Sequence, residues 1–215
     1  MKKAPAALFT ALCLLGLATP ALAGPPFVCH PFEVGAAKSL PFDSQNWLGV
    51  RKDYDISHLV ADTVELVTPE TPTLVRMETL RRAALYASRD RAVAELLMMT
   101  MLTRVKKFDQ VGKSNGTELF DAGYVVEALN EIEQHGNHMP EFGDATKVLA
   151  GLTQKYDGQA MIQKSVDLRP GDASIEFALY LLSRASERDQ HLRKARVGAK
   201  QDGLLARNLT KLDIQ

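Results

Sequence analysis

The chain has 215 residues, with 26 basic and 26 acidic side chains and no formal net charge. Nucleic-acid-binding proteins carry a basic excess or patch, and the balance here argues against that class. The one dense basic stretch, "RDQHLRKARVGAK" (Arg188 to Lys200), spreads its charges around a helix and reads as a solvated face.

The N-terminus, "MKKAPAALFTALCLLGLATPALAG", has the order of a secretory signal. Lys2 and Lys3 form its positive region, and the apolar run from Ala6 to Ala18 is too short to span a bilayer. Pro20 breaks the run, and Ala21-Leu22-Ala23 supplies small residues for cleavage. Leu12 before Cys13 disfavours lipoprotein processing. Residues 1–23 are therefore predicted to be removed, leaving a periplasmic or secreted chain that begins at Gly24, and no later segment is apolar enough to cross a membrane. With Cys13 gone, Cys29 has no intramolecular partner, so stability must come from a packed core.

Residues 24–56 are punctuated by Pro25, Pro26, Pro31 and Pro41, yet they carry Phe27, Phe32, Leu40, Phe42 and Trp47. That combination predicts an extended strap pinned by its aromatics, not a disordered tail. From residue 57 to 215 the pattern is that of one α-helical domain. Ser57 is placed to cap "HLVADTVELV", which ends before Pro69. In "TLVRMETLRRAALYAS", Leu74, Met77, Leu80, Ala84 and Ala87 recur at helical steps, with Arg76, Glu78, Arg81 and Arg82 off that stripe. The spacing predicts an amphipathic helix with one buried face. Its successor, capped by Ser88, is apolar almost all round from Ala92 to Leu102, which predicts the centre of the fold with Ala94, Leu97 and Met101 in the core.

After the loop "DQVGKSNG", Thr117 opens a helix that Gly136 stops. Asp144 is placed to cap "ATKVLAGLTQKY", a further helix runs from about Gly158 to Leu168, Asp172 caps "ASIEFALYLLSRAS", and two short helices finish the chain. No run alternates with period two, so the fold class is all-α, built of stacked antiparallel helix pairs.

Within that array, "AMIQKSVDLRPGD" is similar to the second helix and closing proline of a tetratricopeptide repeat. With Pro170 as the closing proline, Phe142 takes the bulky opening position, Thr146, Gly158 and Ser165 the small positions, and Leu149 and Ile162 the large ones. The resemblance covers residues 139–172 and fades on either side, where Tyr180 stands at a small-residue position. It implies helix hairpins with a concave face that binds a protein or peptide partner.

Candidates for chemistry are few. Cys29-His30 lacks the second cysteine that covalent haem requires, and no other Cys/His cluster has zinc-ligand spacing, His135 and His138 being the nearest candidates. A cysteine among aromatics reads first as a small apolar group. Met98, Met99 and Met101 offer thioethers for copper but lie in a strongly apolar helical run, where methionine fills gaps. "VGKSNG" has Lys107 where a phosphate-binding loop needs glycine. The leading expectation is an exported, non-enzymatic protein without a cofactor that binds a protein or peptide partner through Tyr124, Tyr156 and Tyr180. The alternative is a metal- or redox-linked periplasmic protein using Cys29 and His30.

Overall fold

The computed structural model describes residues 27–43, 48–139, 142–183 and 185–212, so the predicted signal at 1–23 and the expected anchor Trp47 lie outside the described residues. Among the described residues there is no strand, and the fold is all-α as the periodicity predicts. The helices are α1 (Leu59–Leu66), α2 (Thr73–Ala87), α3 (Arg91–Gln110), α4 (Gly116–His135), α5 (Ala145–Leu149), α6 (Gly158–Leu168), α7 (Ala173–Leu182), α8 (Ala185–Ala199) and α9 (Gly203–Lys211). They pack mainly as neighbours: α3 and α2 on α4, α6 on α4 and α7, and α8 on α7 and α9.

The centre is α2 with α4, not α3. Every residue of α2 except Arg82 is buried, and α4 is buried without a break from Glu118 to Val126. α3 buries one face, with Ala94, Leu97 and Met101 in the core as expected, and leaves Leu96 58% exposed on the other. Composition misleads here because the charges of α2 are neutralised in place. Arg76 and Asp121 are both fully buried and pair at 2.6 Å, and Arg76 also donates to the carbonyls of Val67 and Thr68. Glu78 Oε2 accepts from Arg81 Nε at 2.7 Å and Glu78 Oε1 from Arg82 Nε at 2.7 Å. Burial alone would raise the Glu78 carboxyl; the two guanidiniums overcome it and hold the group below the usual carboxylate range.

The strap lies along this charged side of α2. Phe27, Val28, Phe32 and Leu40 are buried, with the Phe27 ring stacked on Tyr124 at 4.3 Å and Phe32 edge-on to Phe177. Residues 27–43 form no helix or strand, so buried polar groups of their main chain must find side chains instead. Phe32 N–H donates to Glu78 Oε2 at 2.9 Å, Arg81 Nη1 donates to Val28 O at 2.9 Å, and Arg82 Nη1 donates to Leu40 O at 2.5 Å. The Tyr86 hydroxyl donates to Pro41 O and accepts from Arg51 N–H. On α9, Asn208 serves both the N–H and the C=O of Glu33.

Helix starts differ from expectation at several points, each time because a better acceptor lies one to two residues away. Asp55 caps a 3₁₀ turn over Ile56–His58 that contains Ser57, Asp90 caps α3 while the Ser88 hydroxyl donates back to Leu85 O, and Asn115 caps α4. Asp172 caps α7 as predicted. Asp144 makes no cap bond and pairs with Lys147 instead, and α5 stops at Leu149, before Gly151 turns the chain with φ +71°. The first arm of the repeat-like hairpin is thus five residues long, and α6 docks on α4. Glycine permits that docking: a Cβ on Gly158 would stand 2.6 Å from Gly123 O, and one on Gly123 would stand 2.6 Å from Gly158 O.

Two measurements check this architecture. Leu97 is fully buried, so Leu97→Ala should cost about 2–5 kcal/mol in urea unfolding, whereas Leu96→Ala should stay within about 0.5 kcal/mol. The second concerns Glu131, whose Oε2 accepts the Phe27 N–H at 2.9 Å. Burial first, with Glu127 adding repulsion, pushes its carboxyl up to about 8, against the donors of Phe27 and Val28. A carboxyl with a raised folded-state pKa binds its proton more tightly when folded. Its contribution is complete below the ordinary carboxylate range and is lost as pH rises toward 8. Between pH 5 and 8.5 the wild type should therefore lose on the order of 3 kcal/mol relative to Glu131→Gln, read from paired denaturation curves.

Candidate functional site

The expected site residues are not brought together. Cys29 and His30 are half-buried in the strap, and His135 and His138 are exposed at the end of α4 and in the turn after it. Among the described residues no group of three or more His, Cys, Asp or Glu side chains is arranged to hold a metal ion. Met98 and Met101 are buried in the core, and Met99 Sδ faces the Tyr156 hydroxyl at 3.6 Å. Tyr124 is a core residue: its ring is fully buried against Phe27 and Phe120, which removes it from any partner-facing surface. Tyr180 is 7% exposed and covered by Arg188, whose guanidinium lies 4.6 Å from the ring centroid. Tyr156, half-buried, is the least covered of the three.

A different constellation stands out on the last part of the chain. α6 and α8 flank α7 and leave an open polar groove of about 550 Å³ between them. One wall is Asp157, Gln159, Ala160 and Gln163; the other is Glu187, Gln190, His191 and Lys194. Helical geometry sets both walls. Gln159 and Gln163 are one turn apart on an exposed side of α6, off the face that buries Ile162 and Ser165. Glu187, Gln190, His191 and Lys194 repeat at steps of three or four along α8.

Beneath the α8 wall lies Glu176, 7% exposed and flanked in sequence by buried Ile175 and Phe177. A carboxylate in that setting needs strong donors, and it has two: His191 Nδ1 at 2.6 Å on one oxygen and Lys194 Nζ at 2.8 Å on the other. An ionised carboxylate only accepts, so Nδ1 carries a proton in this contact. His191 itself is 8% exposed. The arrangement places one tethered imidazole among three exposed glutamines, whose amides offer both donors and acceptors.

Sequence reading assigned Arg188 to Lys200 to a solvated face and did not single out Glu176. The signal was present in "ASIEFALYLL", where one carboxylate interrupts an otherwise apolar helix and so demands partners. Which partners it takes depends on how α8 folds back, and spacing does not encode that.

Comparison with protein-family models, with curated proteins and with solved structures gives no match. The strap positions can be tested directly. Phe27 is fully buried and stacked, so Phe27→Ala should cost about 3–5 kcal/mol and speed cleavage of the strap by added protease. Half-buried Cys29, changed to Ser, should cost under about 1 kcal/mol in the same assay.

Proposed function

We propose that the protein is an exported, non-enzymatic binding module whose α6–α7–α8 groove takes a polar segment of a partner protein. One observation carries the reading: His191, nine-tenths buried and held by Glu176, lines a groove walled by Gln159, Gln163 and Gln190. Each amide offers a donor and an acceptor, the two functions that the main chain of an extended peptide leaves unpaired. The groove is open along its length, which suits a segment better than a small enclosed molecule. Export rests on the signal-like order of residues 1–23.

The test pairs the wild type with Gln159→Ala/Gln163→Ala/Gln190→Ala, three exposed changes expected to leave helicity and melting temperature unaltered. Immobilised wild type should retain a defined set of proteins from the periplasm or culture medium of its own source, and the triple variant should retain at least about tenfold less. Equal retention by both, or none above background, would remove the groove as the functional face.

A further inference from the structure

Resting on the groove as the partner-binding face, we infer that it selects a segment bearing a basic side chain, lysine or arginine. The argument is one of charge and lone pairs. Lys194 is bound to Glu176, so these two charges cancel at the floor. Asp157 and Glu187 remain, both exposed and one on each wall, with no cation among the described residues paired to either. Asp157 Oδ1 accepts the Ala160 N–H at 2.8 Å to cap α6, which leaves its second oxygen for a ligand.

Glu176 also holds His191 Nδ1 at 2.6 Å, so the carboxylates of Asp157 and Glu187 are the uncommitted charges of the groove. A phosphate or carboxylate ligand would meet two carboxylates and would be repelled. An apolar segment would strip water from carboxylates and amides and return no hydrogen bonds. A guanidinium or ammonium supplies the donors that both carboxylates lack, while the glutamines hold the main chain on either side. A planar guanidinium brings five N–H donors against the three of an ammonium.

The experiment is selection of random octapeptides on the immobilised full chain, followed by solution titration of the recovered peptides. Peptides that compete for the groove should be enriched in Lys and Arg. Replacing the arginine by citrulline, its neutral isostere, should weaken binding by at least about threefold, and Asp157→Asn/Glu187→Gln should erase that difference. The Arg-to-citrulline difference should shrink in high salt. Groove binders that are acidic or apolar, or that tolerate citrulline, would overturn the charge inference and leave the peptide-binding reading standing. Selection that returns no peptide sensitive to the glutamine triple variant would overturn both.

Discussion

The Glu78 carboxylate, enclosed between Arg81 and Arg82, is the interaction on which the rest of the arrangement turns. An α-helix with three charged residues in its middle turn enters a core only where each is paired or reaches solvent. Pairing Glu78 with both arginines on α2 itself, at spacings of three and four, lets Glu78 and Arg81 be fully buried and leaves the surplus positive charge with the partly exposed Arg82. The outer hydrogen-bonding positions of the triad then receive a chain segment that has no secondary structure of its own. Removal of Glu78 would leave Arg81 buried without a counter-charge and the Phe32 N–H without its acceptor, so the cluster and the strap stand or fall together.

The same logic recurs in smaller form at Arg76 with Asp121 and at Glu176 with His191 and Lys194. Burial pushes the Asp121 carboxyl up to about 7, with Arg76 pulling the other way. Each cluster joins elements that apolar packing would orient only loosely: α2 to α4, strap to α2, and α7 to α8. Hydrogen-bond direction fixes what hydrophobic contact leaves free. In the last of the three, His191 and Lys194 also line the groove between α6 and α8.

Much of the fold was legible because local rules governed it. The helix over Gly158–Leu168, the cap at Asp172 and the buried strap aromatics followed from spacing, capping chemistry and apolar content. The misjudged parts share one cause. Periodicity treats a charged side chain as a surface marker, so Arg76, Glu78 and Arg81 pointed outward on paper while their partners lay on α2 itself or on α4. Tyr124 was unreadable for a related reason: its ring is covered by Phe27, a residue far away in sequence. The groove was the least legible, since its walls come from two helices separated in sequence by α7.

The pairing of Glu33 with Asn208 spans 175 positions of the chain. Helix neighbours can dock early because their contacts are local, whereas a contact of this separation closes a long loop and comes late. During vectorial synthesis or passage through a membrane pore, the leading end emerges first and its landing site on α9 emerges last. The Glu33 contact must therefore wait until nearly the whole polypeptide is present, whereas Phe27 can pack as soon as Tyr124 has emerged. Phe32 stays without its ring partner until Phe177 follows, so the strap closes in stages from its two ends rather than in one step.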